Sequence, residues 1–480
     1  MSFIKYRQFG NKEYAYELTS YRDSQTKKVK HISKYLGVVV DKERHIFERR
    51  LFRQRTERLI LDFGDSYLVS RFIESTQYGQ LFNKVFGKYI ETLLALLTYR
   101  LCYSSAMMYA ETWYEGNYAK LQYKDAEVSS QRISEFFEAI GNEELYQSFF
   151  REHISNICKS KSGIIVDTTS LQNQIHIPLT SWGRSGEEID KQIRFLLVVD
   201  KDTSLPIFFR TLPGNIIDVS SLNNTTEELR HYGLESTVVC ADAGFFSEDN
   251  ILDLYAKNIN FLMRLPAVRT LYRELIMSEI KDIESPSNGV RYGKRGLFIK
   301  RKKVELFGKA VYAYIVLDPE RKGRETSRLI RQTADEEEKN IELEYNFMRR
   351  GVMILISSFD IPMKEIVPTY YLRQRAEVLF GFSKDDINIL PLRVHKEETL
   401  RGFLFLQFLT LIIFAQLKKA IGEEHTVEEI LLKMRNLKCK VYENEIIIGE
   451  ITKEQKEICK ILDVVVPKNS GIWESAAGRI

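Results

Sequence analysis

Four residues in the C-terminal third of the chain place a phenol, a guanidinium, a carboxylate and an amine at helical spacing. Tyr370, Arg373, Glu377 and Lys384 are separated by three, four and seven residues, and residues at such spacing share one face of an α-helix. Carboxylates bind divalent metal ions, whereas guanidinium and ammonium groups bind phosphate. The segment therefore predicts a helix that binds metal ions and phosphates, although similar charges also occur on ordinary solvated helices.

Two further carboxylates follow β-branched, apolar runs that predict buried strands. Asp167 ends the run that begins at Gly163, and Asp242 ends the run that begins at Ser236. Ligands gather at the carboxyl ends of strands in α/β sheets, although an aspartate there is also a common turn or cap residue. Three carboxylates from separate elements, with Glu377 as the third, suit two Mg²⁺ ions, and we expect Mn²⁺ to substitute for Mg²⁺.

The order of these elements resembles the bacterial insertion-sequence transposases of the DDE class that carry the YREK signature. Both strand aspartates and every YREK position are matched, and the segments 241–251 and 393–409 are also similar to blocks of that family. The resemblance covers residues 163–417 well and the ends of the chain only loosely. It implies cut-and-paste DNA transposition, in which Asp167, Asp242 and Glu377 hold the two metal ions.

The same resemblance implies the binding partners. Tyr370, Arg373 and Lys384 would contact DNA phosphates, and Arg264 is a weaker candidate of the same kind. The substrates would be double-stranded DNA, namely the terminal inverted repeats of the insertion sequence and the target DNA, and the protein would act as a homodimer in the DNA complex. We expect it in the cytoplasm, with the nucleoid. Two alternatives stay open: a ribonuclease-H-like nuclease without strand transfer, and a domesticated, catalytically inactive DNA-binding protein.

The fold class implied is an α/β catalytic core, ribonuclease-H-like, with a β-rich insertion and an α-helical N-terminal region. We predict a strand-rich, basic module for DNA-end binding at 1–58 and a helical DNA-binding or assembly region at 59–160. The catalytic core would span 161–440 and be interrupted by the β-rich insertion at 265–350. Residues 441–480 would form a C-terminal segment for packing or dimer contacts.

Local signals position the core elements. The pattern predicts a strand at 163–169, a hairpin within 194–211 and a helix at 219–231 that is capped by Asp218 and stopped by Gly233. A further strand and a helix at 248–257 follow. Three strands, a helix, a strand and a helix is the element order of the ribonuclease-H-like fold.

The predicted insertion lies in sequence between two of the candidate metal ligands and contains aromatic residues. Between Asp242 and Glu377 lie 134 residues, and the segment 291–318 predicts β-hairpins. In related enzymes a tryptophan of the insertion stacks on a flipped base. No tryptophan lies in this insertion, so Tyr312 or Tyr314 would take that role, or the role would be absent.

Composition indicates an ordinary globular protein without a membrane span. Apolar residues make up 44% and charged residues 28% of the chain, and the N-terminus lacks an apolar signal segment. The apolar run 403–415 is too short to cross a bilayer, which favours a buried core helix. The five cysteines are scattered, so they predict reduced core residues without a zinc site or disulfide framework.

Positive charge is concentrated at the N-terminus. Residues 1–60 contain 15 Lys or Arg and 7 Asp or Glu, a net charge of +8, although the whole chain carries +4. A second basic stretch, 290–303, holds seven Lys or Arg and no acid. Such segments are typical of polyanion partners, although each also suits a solvated strand face.

Overall fold

The structure is a computed structural model that divides the chain into two compact units. The smaller unit comprises Met1–Leu59 and Val441–Glu445, and the larger comprises Ile60–Lys440 and Ile446–Ile480. The residues described are 2–9, 12–22, 29–48, 57–103, 105–157, 161–172, 177–185, 188–215, 219–333, 341–381, 396–442, 445–467 and 469–471.

The smaller unit contains an antiparallel meander whose strands follow one another in space as in sequence. This arrangement confirms the strands predicted near the N-terminus. A turn at 42–45 joins the last two strands, where Asp41 Oδ1 accepts hydrogen bonds of 3.0 Å from the backbone N–H groups of Glu43 and Arg44. The strands are β1 Ser2–Phe9, β2 Lys12–Arg22, β3 Val29–Asp41 and β4 Ile46–Glu48.

A strand and then a helical block precede the central sheet. The helices bury apolar stripes at three- and four-residue spacing, and the Thr76 side chain caps one of them by accepting from the backbone N–H of Tyr78. The elements are β5 Glu57–Asp62, α1 Gly64–Ser75, α2 Gln77–Phe86, α3 Ile90–Cys102, α4 Ala110–Glu115, α5 Ala119–Gln122, α6 Ser130–Ile140 and α7 Glu143–Ile157.

The central sheet has ten strands among the described residues. Its order is β12-β13-β14-β15-β11-β10-β6-β8-β7. The tenth strand, β9, is outside this order and also pairs with β8. The strands are β6 Lys161–Gln172, β7 Ser181–Ser185, β8 Glu188–Asp200, β9 Pro206–Pro213, β10 Glu235–Ala241, β11 Asn260–Arg264, β12 Gly289–Tyr292, β13 Arg295–Leu306, β14 Lys309–Leu317 and β15 Val352–Ser357.

The first strands of the sheet follow the predicted order. β6, β8 and β9 are antiparallel neighbours, and β10 and β11 then join β6 in parallel. The helix α8, Val219–His231, has the predicted bounds and is followed by Gly233 at a φ of +92°. The predicted cap Asp218 lies outside the described residues. The helix α9, Glu248–Ala256, begins where Ser247 accepts from the backbone N–H of Asn250.

The segment between β11 and β15 extends the same sheet. β12, β13 and β14 form antiparallel hairpins, and β14 pairs with β15, which in turn pairs with β11. The hairpins predicted in this segment turn at Gly293 and Gly308, and both glycines have positive φ. The helices of this segment are α10 Thr270–Glu279, α11 Pro319–Thr333 and α12 Ile341–Met348.

The C-terminal part of the described chain is mainly helical, and a third sheet has the order β18-β17-β16-β5. Thr426 and Thr452 both cap helices, and Thr452 forms a complete capping box with Gln455. The elements are α13 Met363–Tyr371, α14 Gln374–Gly381, α15 Glu397–Ile421, α16 Val427–Arg435, β16 Lys438–Tyr442, β17 Glu445–Ile448, α17 Lys453–Ile461 and β18 Asn469–Gly471.

Helix α15 forms the centre of the aromatic core. Its Phe405 packs edge-on against Phe149 of α7 at 5.2 Å between ring centroids, and its Phe408 lies 5.0 Å from Phe209 of β9. Burying each such ring stabilises the fold by about 2 kcal/mol. With 25 residues, α15 is longer than predicted, and by length and composition alone it could cross a membrane. However, 83% of its apolar window is buried inside the protein, as expected for a core helix.

The cysteines that the structure describes are buried free thiols. They are Cys102, Cys240, Cys439 and Cys459. This confirms their prediction as reduced core residues, whereas Cys158 lies outside the described residues.

Candidate active site

Asp167 and Asp242 lie side by side on neighbouring parallel strands. In the pairing of β6 with β10, Val166 is opposite Ala241, and the residue that follows each of them is an aspartate. The prediction that Asp167 ends its strand is wrong, because antiparallel pairing with β8 continues β6 to Gln172. What ends next to Asp167 is the parallel pairing of β6 with β10, whereas β6 itself continues.

Arg264 continues this row on the third strand. β11 pairs in parallel with β10 so that Met263 is opposite Ala241, and Arg264 follows at the level of Asp242. The charge of Arg264 also counteracts the rise that burial causes in the pKa of Tyr370. The structure thus places this predicted residue next to the aspartates, at the same edge of the parallel strands.

The predicted helix with the YREK residues is broken in two. Tyr370 lies at the end of α13, Arg373 lies in the turn that follows, and Glu377 lies in α14. Hydrogen bonds from residue i+3 tighten this turn, since the N–H of Arg373 donates to the carbonyl of Tyr370 at 3.2 Å and the N–H of Ala376 donates to that of Arg373 at 3.0 Å. The prediction of one continuous helix is therefore wrong, and Lys384 lies outside the described residues.

Two side chains at the break between α13 and α14 form hydrogen bonds with the strand aspartates. The Tyr370 hydroxyl donates a hydrogen bond of 2.9 Å to Oδ1 of Asp242, and Arg373 Nη1 donates one of 2.8 Å to Oδ2 of Asp167. No glycine or proline lies at 372–373 to break the helix. Tyr370 before the turn and Arg373 within it are thus each bound to one of the strand aspartates.

Arg373 also connects Asp167 with Glu377. Its Nη2 lies 2.6 Å from Oε1 of Glu377, so a single guanidinium bridges two of the three predicted metal ligands. The side chains of Arg373 and Asp167 are 15% and 11% exposed, whereas that of Glu377 is 47% exposed. The inner ion pair is therefore largely protected from water, and the outer one is open to solvent.

Burial and charge act against each other at this site. Burial raises the pKa of Asp167 to about 6, while the Arg373 guanidinium and the N–H of Thr168 limit that rise. Burial alone would lower the pKa of Arg373, but the Asp167 carboxylate and the neighbouring anions raise it above its ordinary value. The ion pair with Arg373 thus favours the charged form of Asp167 against the effect of burial.

A comparison with protein families matches residues 159–413, more than half of the chain, to the family described as Transposase DDE domain. The chain belongs to this family. The matched residues include both strand aspartates, Arg264 and all four YREK positions. Comparison with curated proteins finds no match.

Two solved transposase structures are similar to this DDE-domain chain at low TM-scores. One is the piggyBac transposase synaptic complex with hairpin DNA, at 9% identity and a TM-score of 0.41 over 78% of this chain and 76% of the other. The second is the Drosophila P element transposase strand transfer complex, at 9% identity and a TM-score of 0.22 over 69% and 82%. At such TM-scores neither likeness adds to the family match.

DDE transposase domains generally use divalent metal ions, and the carboxylates of this DDE domain fit such ions by donor type. Among the described residues, no three His, Cys, Asp or Glu side chains are close enough to hold a metal ion together. However, Asp167 and Glu377 already bind one cation between them, the Arg373 guanidinium. The donor set thus fits a divalent ion, provided that Arg373 gives up its place.

Sequence reasoning missed an aromatic contact next to the candidate site. Tyr371, next to Tyr370, stacks on Tyr292 of the insertion with ring centroids 5.5 Å apart and planes 18° apart. The pair borders a cavity of about 180 Å³ that Arg295, Arg321 and Arg324 also line. No local pattern indicates this contact, because the two tyrosines belong to elements far apart in sequence.

The aromatic residues predicted to stack on a base are placed differently. Tyr314 is fully buried, and its hydroxyl donates to the carbonyl of Ile361 at 2.8 Å and accepts from the same residue's N–H at 2.7 Å. It is therefore a core residue, and the prediction of a stacking role for it is wrong. Tyr312 is half-buried, with the cations of Arg301 and Lys303 over its ring at 5.7 and 5.4 Å.

Proposed function

We propose that this protein is an insertion-sequence DNA transposase that cleaves the ends of its element and joins them to target DNA. The observation that carries the proposal is the pairing of the strand aspartates with the YREK residues. Asp167 and Asp242 stand level on adjacent strands and are bound by Arg373 and Tyr370. The spacing of Tyr, Arg, Glu and Lys within a DDE domain supports the assignment of this protein to the bacterial YREK group.

The order of elements supports a ribonuclease-H-like core. Three antiparallel strands, β6, β8 and β9, are followed by α8, then by β10, α9 and β11 in parallel with the first strand. In this arrangement the first and fourth strands are neighbours. Asp167 within β6 and Asp242 directly after β10 consequently come together at the edge of the parallel strands.

The three acids would be the metal ligands. Bound by Asp167, Asp242 and Glu377, two Mg²⁺ ions would neutralise charge on the attacking and leaving oxygens of a phosphodiester. Asp167 suits the shared position because it is buried and lies between the other elements of the site. Tyr370 would hold Asp242 in orientation through its hydroxyl, in a bond that is partly buried.

Phosphate binding would fall to the cations around the acids. The fork of Arg373 binds two carboxylates here, and the same fork fits two phosphate oxygens. Arg264, at the level of Asp242, would contact the same backbone, and Lys384 would act as a point charge. The DNA partners would be the terminal inverted repeats and the target duplex, bound by a homodimer.

A cleavage and joining assay with the full-length protein tests the proposal. The DNA substrate carries the sequences that flank this gene, and a supercoiled plasmid serves as target. We expect Mg²⁺-dependent nicks at the element ends and joined products, with Mn²⁺ as a substitute and with no product in chelator.

The alternatives give different results in the same assay. Cleavage without joined products would indicate a nuclease that lacks strand transfer. Binding without any cleavage in Mg²⁺ or Mn²⁺ would indicate an inactive DNA-binding protein, and cleavage in chelator would exclude the metal-ion mechanism.

A further inference from the structure

One face of the N-terminal sheet combines cations and aromatic rings. Residues that are direct cross-strand partners share a face of a sheet, and side chains alternate along each strand. The register of β1, β2 and β3 places six residues together on what we name the basic face: Lys5, Arg7, Lys12, Tyr14, Tyr16 and Tyr35. No carboxylate lies on this face at the described positions of β1, of β2 or of residues 29–35.

The rings of the basic face contact one another and a guanidinium. Tyr16 and Tyr35 lie 5.4 Å apart, Tyr14 and Tyr35 lie 6.3 Å apart, and Arg7 is positioned over Tyr16 at 5.3 Å. Lys5, Arg7 and Lys12 are exposed, and Phe9 beside Tyr14 is 59% exposed. These side chains form a contiguous, preassembled surface of rings and positive charge.

The opposite face of the same sheet has a different character. It carries both carboxylates of β2, Glu13 and Glu17, of which Glu17 lies opposite Lys34. Lys42 of the following turn pairs with Glu13 at 2.7 Å and lies over the ring of Tyr6, and Ala15 is completely buried there. Both glutamates of this face have a lysine opposite or paired with them, and the excess of cations on β1 and β2 is confined to the basic face.

We propose that the basic face binds the sugar–phosphate backbone of double-stranded DNA. The cations that β1 and β2 contribute to this face are complementary to a polyanion, and sheet strands are known to enter the grooves of duplex DNA. The aromatic rings would pack against sugars and groove walls while the cations contact phosphates. This proposal rests on the proposed function, because that function makes DNA the substrate. It adds the identity of the surface that binds the duplex.

Paired lysine substitutions in the full-length protein test this surface. Lys5→Gln with Lys12→Gln removes two charges from the basic face, and Lys30→Gln with Lys34→Gln removes two from the opposite face of the same strands. The probe is a mixed-sequence duplex, and the affinity is measured at several salt concentrations. Each lost phosphate contact reduces the slope of log K against log salt by about 0.9.

We expect the slope to decrease by roughly 2 for the basic-face variant and to stay unchanged for the opposite-face variant. Arg7→Gln, measured in the same way, gives an independent second variant if the double variant folds poorly. Equal slopes for both double variants would overturn the proposal. Tighter binding of the single strand than of the duplex by the wild type would also overturn it, because the rings would then serve to stack bases.

The same experiment separates this proposal from the proposed function. If the wild type cleaves and joins DNA while the two double variants bind alike, the surface is wrong and the function stands. If the basic-face variant alone loses salt-dependent binding while the wild type never cleaves, the surface stands and the catalytic proposal fails. A wild type that binds no duplex DNA would contradict both.

Discussion

Arg373 Nη1 lies 2.8 Å from Oδ2 of Asp167, although 206 residues separate the two in sequence. The second arm of the same guanidinium binds Glu377 at 2.6 Å. A cation of the protein itself thus stands between two of the carboxylates that would bind metal ions. Like charges cannot share this position without a large electrostatic cost, so we expect Arg373 and a divalent ion to exclude each other from Asp167.

We predict that Arg373→Gln increases the affinity of the DNA-free protein for Mn²⁺. Removing the competing guanidinium should strengthen binding by roughly tenfold, which corresponds to about 1.4 kcal/mol of lost competition. Titration calorimetry or the electron paramagnetic resonance of free Mn²⁺ measures this without any cleavage assay. We also expect a lower melting temperature in chelator, because Asp167 is left as a buried anion without a partner.

The matched control for this experiment is Arg375→Gln. Arg375 lies two residues further on, at the start of α14, and donates to the backbone carbonyl of Lys201 at 3.1 Å. Its replacement should leave the Mn²⁺ affinity unchanged. An Arg373→Gln variant that binds Mn²⁺ no more tightly than the wild type would show that the guanidinium does not occupy the metal position.

The three acids should be individually required for cleavage. Asp167→Asn, Asp242→Asn and Glu377→Gln each remove a metal ligand at nearly constant volume, so we expect folded proteins that bind DNA and have lost cleavage. Glu235→Gln is the control, because Glu235 starts β10 at the end opposite Asp242 and is 59% exposed. A variant of any of the three that keeps cleavage within about tenfold of the wild type, or about 1.4 kcal/mol, would exclude that residue as a ligand.

Buried His153 should make the fold sensitive to mild acid. Burial lowers the pKa of His153 to about 4, from an ordinary value of 6.5, and the ring binds the carbonyl of Pro206 at 2.9 Å. The unfolded chain therefore binds the proton more readily between pH 6.5 and 4. Stability is fully present above pH 6.5 and falls by up to about 3 kcal/mol as the pH drops through this window.

Denaturant unfolding between pH 4 and 7 measures this effect. We expect His153→Gln to weaken the pH dependence, whatever its effect on stability at pH 7, because the amide does not titrate. The exposed His231→Gln serves as control and should leave the dependence as it is in the wild type. An identical pH dependence of wild type and His153→Gln would assign the acid sensitivity to other groups.

Replacing two helical glycines by alanine should change the stability of the protein in opposite directions. A Cβ on Gly402 of α15 would lie 1.9 Å from the backbone oxygen of Phe137 in α6, whereas a Cβ on Gly323 of α11 would meet no atom within 4 Å. Gly402→Ala must therefore separate two packed helices, at a cost of about 1–3 kcal/mol. Gly323→Ala should stabilise the protein by up to about 1 kcal/mol, since alanine favours the helix.

Melting temperatures of the two glycine variants check this prediction. A decrease for Gly402→Ala together with an increase for Gly323→Ala is expected. Equal melting temperatures would show that α15 and α6 can move apart without cost, which contradicts the close packing seen here.

Local sequence signals determined much of the catalytic half of the chain. The bounds of α8, the Ser247 and Thr452 caps and the turn glycines depend on neighbouring residues only, and such signals can be read directly from the sequence. The position of Asp242 at a strand end was also predictable, because a β-branched run followed by Asp indicates a strand end, whereas β6 continues past Asp167 to Gln172. The level placement of the two aspartates follows from parallel pairing of the two strands.

Only the tertiary structure decided how the site residues meet. The break after Tyr371, the bond from Arg373 to Asp167 and the stacking of Tyr371 on Tyr292 connect distant segments, and spacing along one helix contains no information about them. The register of the N-terminal strands likewise decided which cations share a face. Sequence fixes side-chain type and local geometry, whereas partners come from packing, which depends on the whole chain at once.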